Sequence, residues 1–423
     1  MLAGCGEDRP PAAPPLDLRV TFDAGDGGAL PVDGNFADAH VEDARAESDL
    51  GTALVRCRAA GEVALLDTST WAHTEGVAVT ASGSAFAVAF PAFRADGTNI
   101  VVRALALDGA LGPESLASGT YLVARNPDLA ATASGALTLF ETNDSGGYQV
   151  ALRSLVGGAA AGTTPTTLTS SVADLPVNPV LAPLASGLVG AWLTHTDDGL
   201  GARGPERVVL ARFDLSGALV GAPTEVPTAA PPRTLTLARS LDGASALVTL
   251  EASTTDTSVV RLRTIDAAGV VATSALDVTE ARAITAVAAA QTAEGTLVAW
   301  GETVGGARQD VRLRLVSPEG SLGDERFATL GPETGSTPAL AVGMTGVLLA
   351  YRGGQGVVRG VRAVAVDSSG ALAGTVVTLL ATSDDDGDLA VAASGLSSLA
   401  VIASDRVGGS GRVQAAVADC GAP

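Results

Sequence analysis

Short runs in which apolar and polar residues alternate occupy the chain from about residue 53 onward. Clear examples are Val101–Leu107, Val208–Phe213 and Val311–Val316. Alternation over five to eight positions indicates half-buried β-strands, because successive side chains of a strand point to opposite faces. Glycine-containing turns separate the runs, so this part of the chain is predicted to consist of strands joined by tight turns.

The strands and turns repeat seven times. A turn glycine separates the first two runs of each unit, and successive copies are 52, 52, 56, 52, 51 and 49 residues apart. These seven glycines are Gly83, Gly135, Gly187, Gly243, Gly295, Gly346 and Gly395. A second turn glycine follows about 26 residues later in six units: Gly109, Gly158, Gly217, Gly269, Gly320 and Gly370. Each unit therefore contains four short strands.

Four antiparallel strands in each of seven units predict an all-β, seven-bladed β-propeller over residues 53–423. The last unit, Leu389–Cys420, contains only three strands, whereas Ala53–Arg58 and Val63–Thr68 precede the first complete unit. We expect these N-terminal runs to supply the missing strand of the last blade. Closure of this kind removes the free edges that an open array of sheets would expose.

The composition excludes some classes of function. The chain has 423 residues and a net charge of −20, and 47% of its residues are hydrophobic. An acidic chain repels phosphate backbones, so nucleic-acid binding is not expected. The hydrophobic share suffices for a large core. No apolar run of about 18 residues occurs, so no transmembrane helix is predicted.

Near its start the chain reads Leu2-Ala3-Gly4-Cys5, which resembles a bacterial lipobox. The resemblance implies that a signal peptidase cleaves before Cys5 and that its thiol becomes lipid-modified. A lipobox follows a charged and then an apolar segment, whereas only Met1 precedes the run here, so we expect the gene to encode such a segment upstream. Gly6 stands where an aspartate would signal inner-membrane retention, so the resemblance points to the outer membrane.

Residues 1–52 are predicted to be the lipobox remnant followed by a disordered tether. The segment is rich in proline, aspartate and glycine, as in Asp23–Gly28. Such a composition buries too little apolar surface to offset the entropy of ordering. The tether would hold the propeller away from the membrane, to which only the lipid would attach the protein.

Cys57 and Cys420 are the other two of the three cysteines. Cys57 lies on the N-terminal segment and Cys420 on the C-terminal segment that together are predicted to form the last blade. In an oxidising compartment, cysteines placed in this way favour a disulfide. Two free buried thiols are the alternative.

The densest acidic cluster is Asp384–Asp388, in which Asp384, Asp386 and Asp388 are candidate ligands for Ca²⁺. The cluster slightly resembles the calcium loops of integrin-type propeller repeats, which precede a similar Asp-Leu-Ala-Val run. The other units carry no counterpart, and the spacing does not fit an EF-hand. A solvated loop between blades is the alternative, and no other cofactor is indicated.

Other residue types with possible chemistry are isolated. His195, beside Asp197 and Asp198, is expected to be a surface residue of a long insertion. No nucleophile elbow, zinc-protease motif, P-loop or dinucleotide fingerprint occurs. Large apolar residues end the second strands of the units, and those in units three and five are Trp192 and Trp300. We expect these two tryptophans to pack between blades rather than to stack on a ligand.

The repeat over residues 53–421 resembles the Ala/Gly/Val-rich propeller lipoproteins of high-GC bacteria, myxobacteria among them. The resemblance implies an exported lipoprotein at the outer membrane or cell surface. Loops on a rigid scaffold commonly carry recognition, so we expect a non-catalytic module that binds a protein or a glycan at one face. The alternative is an extracellular polysaccharide hydrolase or lyase, for which Glu141, Glu251 and Glu302 are the candidate carboxylates.

The lipobox generates a prediction about export. Expression with the upstream sequence in a didermal bacterium should give a membrane-associated protein whose N-terminal peptide carries lipid on Cys5. Cys5→Ser should abolish the lipid and release the protein into the soluble fraction, as measured by mass spectrometry and detergent partitioning. An unmodified Cys5, or a gene without an apolar segment upstream, would contradict the prediction.

Overall fold

The chain divides into two units, Met1–Gly51 and Thr52–Pro423. The first unit, with Cys5 and nearly all of the predicted tether, lies outside the part of the chain that the structure describes. The computed structural model describes residues 56–59, 62–67, 76–94, 97–119, 123–144, 147–162, 165–169, 174–196, 204–239, 244–305, 308–329, 333–343, 346–355, 358–382, 387–394, 398–407 and 410–421.

The regular elements of these described residues are all β-strands. No helix long and apolar enough to cross a bilayer occurs among them. In chain order the strands are β1 (Arg56–Ala59), β2 (Ala64–Asp67), β3 (Ala78–Ser82), β4 (Ala85–Arg94), β5 (Gly97–Ala106), β6 (Ser115–Leu116), β7 (Val123–Thr132), β8 (Gly135–Asp144), β9 (Gly147–Val156), β10 (Ala159–Ala160), β11 (Thr166–Thr167), β12 (Asp174–Leu184), β13 (Gly187–Thr196), β14 (Arg207–Phe213), β15 (Thr224–Val226), β16 (Pro232–Arg239), β17 (Ala244–Ala252), β18 (Ser258–Thr264), β19 (Leu276–Asp277), β20 (Ile284–Thr292), β21 (Gly295–Val304), β22 (Arg308–Val316), β23 (Arg326–Phe327), β24 (Thr334–Gly343), β25 (Gly346–Gln355), β26 (Val358–Val366), β27 (Val377–Ala381), β28 (Leu389–Ser394), β29 (Ser398–Val407) and β30 (Ser410–Gly421).

The described strands pair in antiparallel groups that follow the sequence repeat. The groups, here called blades 1 to 7, are β3–β6, β7–β11, β12–β15, β16–β19, β20–β23, β24–β27, and β28–β30 with β1 and β2. Single parallel bridges, Thr98 with Val123 and Arg239 with Ala290, join two pairs of neighbouring blades. Repeated antiparallel sheets of this kind form a β-propeller, and the predicted all-β fold is confirmed.

The hydrophobic core lies between blades rather than within any one of them. Each cluster of buried residues draws its members from two consecutive blades, as where Ile100 of blade 1 meets Phe140 of blade 2. The cluster that contains Phe90 of blade 1 also contains Ile402 of blade 7, so packing continues from the last blade to the first. Both faces of a blade are therefore covered by its neighbours.

The tryptophans belong to these clusters. Trp192 packs in the cluster that blade 3 shares with blade 2, and Trp300 in the cluster that blade 5 shares with blade 4. Both are at most 1% exposed. The prediction that they pack between blades is confirmed.

The two ends of the chain meet in blade 7. Both β1 and β2 pair antiparallel with β30, the last described strand. The N-terminal runs therefore complete the last blade, as the sequence predicted. The register sets Cys57 directly opposite Cys420, and Cys420 is buried.

The hairpins between the third and fourth strands owe their shape to a repeated Asp-x-x-Gly sequence. In blades 3, 4 and 6 the carboxylate of Asp214, Asp266 or Asp367 accepts the backbone N–H groups two and four residues later, at 2.8 to 3.0 Å. The glycine in each turn has φ between 77° and 86°. Only glycine adopts this backbone conformation without a steric penalty. This explains why the second turn glycine recurs at the same place in successive units.

The strand register generates a prediction about the disulfide. Residues directly opposite each other on antiparallel strands have Cα atoms about 4.5 to 5.5 Å apart, within the range that a disulfide spans. Peptide mapping of the non-reduced, exported protein should find Cys57 linked to Cys420. Reduction should lower the stability by about 4 kcal/mol or more, because the bridge closes a very long loop.

The double variant Cys57→Ser/Cys420→Ser is the matched control. It should unfold like the reduced protein and should not respond to a reductant. Two freely alkylated cysteines in the exported, unreduced protein would contradict the disulfide.

Candidate functional site

The first strand of each blade lines a central channel. The residue seven positions before the first turn glycine occupies the same place in every repeat, and these residues are Gly76, Asp128, Val180, Thr236, Ala288, Ala339 and Asp388. All seven line a single cavity with a volume of about 270 Å³. The cavity is therefore built by the whole ring, one residue of this layer from each blade.

The cavity has a polar side and an apolar side. Asp388, Asp128, Thr236 and two flanking asparagines lie on blades 7 and 2 to 4, and Arg239 joins them from the end of β16. Blades 5 and 6 contribute only apolar residues: Val287, Ala288, Ala289, Pro338, Ala339 and Leu340. A ligand with one hydrogen-bonding side and one apolar side matches this division.

Asp128 connects three blades. Its Oδ2 accepts the backbone N–H of Leu181 in blade 3 at 2.6 Å and a hydrogen bond from Arg239 in blade 4. Its Oδ1 accepts the N–H of Leu129 at 2.8 Å. Arg239 is about one-third exposed, its side chain 36%. A guanidinium has five N–H donors, so most of those on Arg239 remain available to a ligand.

Asn126 and Asn178 lie on the polar side with their backbones in the left-handed region. Their φ values are 48° and 53°, and each precedes a proline. Thr337, before Pro338, adopts the same conformation in blade 6 with φ 47°. The pairing register shifts at all three places, in β7, β12 and β24. Non-glycine residues persist in this region only when their surroundings hold them there.

Glu141 holds the two asparagines in place. Its Oε1 accepts Asn126 Nδ2 at 2.7 Å and the backbone N–H of Asn178 at 2.5 Å. Its Oε2 accepts Arg125 Nε at 2.6 Å. Burial raises the pKa of Glu141, and the bonds from Asn126 and Arg125 offset this only in part, so the pKa stays above its ordinary value of 4.5. Glu141 therefore positions the two asparagines but does not itself line the cavity.

Asp388 closes the channel between the last blade and the first. Its Oδ2 accepts the backbone N–H of Gly76 at 2.7 Å. The other two candidate calcium ligands, Asp384 and Asp386, lie outside the described residues. Among the described residues no group of three or more His, Cys, Asp or Glu side chains is placed to hold a metal ion. The calcium site stays a prediction.

The three glutamates considered for catalysis do not converge. Glu141, Glu251 and Glu302 lie inside β8, β17 and β21 and are at most 4% exposed. Each one forms ion pairs with nearby arginines: Glu141 with Arg125, Glu251 with Arg261 and Arg263, and Glu302 with Arg282 and Arg312. None of the three lines the channel cavity.

Glu251 illustrates how these pairs affect ionisation. Burial raises the pKa of Glu251, but hydrogen bonds from Arg261 and Thr249 and the charge of Arg263 outweigh it, so the pKa lies below its ordinary value of 4.5. Arg263 is only 2% exposed. The carboxylate therefore stays ionised because a buried guanidinium requires a counter-charge.

The expectation that His195 is a surface residue is wrong. His195 belongs to β13, opposite Leu175, and is only 7% exposed. Every residue of β13 from Gly187 to His195 is buried, so the strand holds the side chain in the interior before the insertion begins. Asp197 and Asp198 lie outside the described residues.

Asp128, Arg239, Asn126 and Asn178 were not expected from the sequence to be channel residues. A signal was present for the asparagines, since an Asn-Pro pair stands nine residues before the turn glycine in both unit two and unit three. Nothing in the sequence distinguishes Arg239 from the other 25 basic residues. Its role depends on the ring geometry, which brings it to Asp128 of a blade two positions away.

Comparison with known proteins identifies no family. No protein-family model and no curated protein matches the chain. Similar solved structures include a protein of unknown function from Dyadobacter fermentans, with 11% identity, TM-score 0.48 and coverage of 86% of this chain and 99% of that one. A protein from Lactobacillus plantarum has 12% identity, TM-score 0.45 and coverage of 76% and 92%.

A third similar structure is the aldose sugar dehydrogenase of Streptomyces coelicolor in its PQQ-bound form. It has 14% identity, a TM-score of 0.36 and coverage of 84% of this chain and 98% of that chain. Values of this size support no functional inference.

The buried pair in blade 4 generates a stability prediction. Glu251→Gln should destabilise the protein at neutral pH by about 3 kcal/mol or more, because Arg263 would stay buried without its counter-charge. Since the pKa of Glu251 lies below 4.5 in the folded state, its contribution is complete above that pH and is lost as the pH falls further. The difference between variant and wild type should therefore shrink on acidification.

The measurement is urea unfolding at several pH values. Glu225→Gln is the control, because it removes a largely exposed partner of Arg207 and should change the stability by less than about 0.5 kcal/mol. Equal effects of the two substitutions would contradict the assignment.

Proposed function

We propose that the protein is an exported, lipid-anchored component of the cell envelope whose propeller is a non-catalytic module. Its ligand is a protein or a glycan bound at one face of the propeller. Gly76 and Asp388, which line the cavity, lie just before β3 and β28, and we place the ligand on the side where these two strands begin. This face is the proposed binding face.

The observation that carries the proposal is the channel cavity with its two unlike sides. Hydrogen-bonding groups from separate blades converge on it, and they are already fixed by bonds to one another. Concave sites with a few fixed polar groups in an otherwise apolar lining are typical of ligand binding. Groups that are held in place before the ligand arrives reduce the entropy lost on binding.

The carboxylates support binding more than catalysis. General acid or base chemistry requires a carboxyl group that can exchange a proton with the substrate. Asp128 is engaged by Arg239 and by two backbone N–H groups, and Glu251 and Glu302 are paired with arginines away from the cavity. Each of these carboxylates therefore already accepts hydrogen bonds from fixed groups of the protein.

A second candidate function is a hydrolase or lyase acting on extracellular polysaccharide. One observation favours it: Asp128 and Asp388 line the same cavity from blades 2 and 7. Two carboxyl groups in one pocket are the minimum that glycoside hydrolysis requires. The two functions differ in whether a bound ligand is turned over.

The test combines binding and turnover on the full exported chain. A panel of neutral and acidic polysaccharides is assayed for binding by affinity electrophoresis and for cleavage by release of reducing ends and unsaturated products. The proposal expects a retained ligand, or one bound protein partner, with no cleavage. Cleavage that disappears in Asp128→Asn and Asp388→Asn variants of unchanged fold would establish the second candidate instead.

A further inference from the structure

We infer that the channel cavity binds one neutral sugar ring, such as the terminal hexose of a glycan. The inference rests on the proposed function and names the ligand class of the same site. In this arrangement the ring hydroxyls bond to Arg239, Asp128 and Asn178, and the C–H face of the ring packs against the apolar wall of blades 5 and 6.

The size of the cavity limits the ligand. Its volume of about 270 Å³ corresponds to roughly nine water molecules at about 30 Å³ each. One six-membered sugar ring fits a space of this order, and the cavity is open to solvent, so the rest of a glycan can lie outside it. A glycan would therefore enter by one terminal residue, with the rest of the chain outside the channel.

The polar side offers donors and acceptors in the combination that a sugar requires. Arg239 uses one N–H group for Asp128, and Asn178 Oδ1 accepts Asn126 Nδ2 at 3.3 Å, which leaves the Asn178 amide N–H groups as donors. Asp128 Oδ1 accepts a single backbone N–H, and a carboxylate oxygen can accept two bonds. A hydroxyl that donates to Asp128 and accepts from Arg239 would satisfy both groups.

The opposite side of the cavity suits the C–H face of a sugar ring. Val287, Ala288 and Ala289 come from blade 5, and Pro338, Ala339 and Leu340 come from blade 6. Ala288 and Ala339 are equivalent to Asp128, since each lies seven residues before the first turn glycine of its unit. Their small side chains leave the space that a flat ligand needs.

The charge of the protein favours neutral ligands. Two carboxylates, Asp128 and Asp388, and one guanidinium, Arg239, line the cavity, and the buried Arg352 donates to the backbone carbonyl of Asp388 at 3.1 Å. The whole chain carries −20. A uronic acid would bring a further negative charge into this field, and unfavourable electrostatics of this kind exclude wrong partners.

The experiment measures binding of glucose, galactose, mannose and N-acetylglucosamine to the full chain by saturation-transfer NMR and calorimetry. At least one of these sugars should bind with a dissociation constant on the order of 1 mM. Glucuronic and galacturonic acid should bind at least about tenfold more weakly than the corresponding neutral sugars. Binding of the acids as tight as that of the neutral sugars would overturn the inference, as would the absence of binding by all four neutral sugars.

Three variants locate the site. Arg239→Gln should weaken sugar binding about tenfold or more, whereas Arg233→Gln, an exposed arginine on the same strand β16 that does not line the cavity, should leave it unchanged. Ala288→Leu adds three carbon atoms on the apolar side of the cavity and should abolish binding. Circular dichroism and thermal unfolding verify that each variant is folded.

The outcomes separate this inference from the proposed function. If a sugar binds equally well to Arg239→Gln and Ala288→Leu, the channel site is wrong but a binding function stands. If the chain retains a protein partner and no sugar, the inference is overturned and the binding function again stands. If a sugar binds in the channel and its glycan is cleaved, the site is supported and the non-catalytic proposal fails.

Discussion

A four-stranded blade has two faces, and in this protein both are apolar. Every cluster of buried residues is shared by two consecutive blades, and the cluster of Phe90 and Ile402 joins the last blade to the first. A single blade would expose both faces to water, so no blade is stable without two neighbours. The ring, its channel and the position of each polar residue in the channel follow from this requirement.

Closure of the ring makes the two chain ends interdependent. Because β30 pairs with β1 and β2, the first and last described segments contribute to one sheet, in which β28 is the inner edge and the N-terminal strands complete the outer edge. The cooperative unit is therefore the complete ring rather than any smaller set of blades. A disulfide between Cys57 and Cys420 would link the two chain ends covalently at the place where the ring closes. Without it, only non-covalent contacts hold the ends together there.

The inner strands face a different problem from the rest of each blade. Their residues converge on one cavity from several blades, and the polar groups there form hydrogen bonds across blades. Asp128, Asn178 and Asp388 do this with backbone N–H or side-chain partners on neighbouring blades. The same bonds that satisfy the channel also fix the geometry of a possible binding surface, so stability and recognition depend on the same residues.

The acidic groups of the blades follow another rule. Glu251 and Glu302 are buried near the middle of their sheets and are matched by arginines on adjacent strands. Removing one member of such a pair would leave a buried charge without its partner. These pairs therefore have a structural role rather than a chemical one. Carboxylates that could meet a ligand occur on the innermost strands, where the ring brings different blades together.

The amino-acid sequence alone predicts the strands, the turns and the repeat, because alternation of side chains and the φ requirement of turn glycines are local properties. It also determined that the chain ends complete one blade, since the missing strand of the last unit could only come from the N-terminal side. It assigned Trp192 and Trp300 correctly to the core. It did not determine the burial of His195, or the meeting of Asp128 with Arg239, Asn126 with Asn178 and Asp388 with Gly76. Those residues lie 52 to 312 positions apart, and only the curvature of the closed ring brings them into contact.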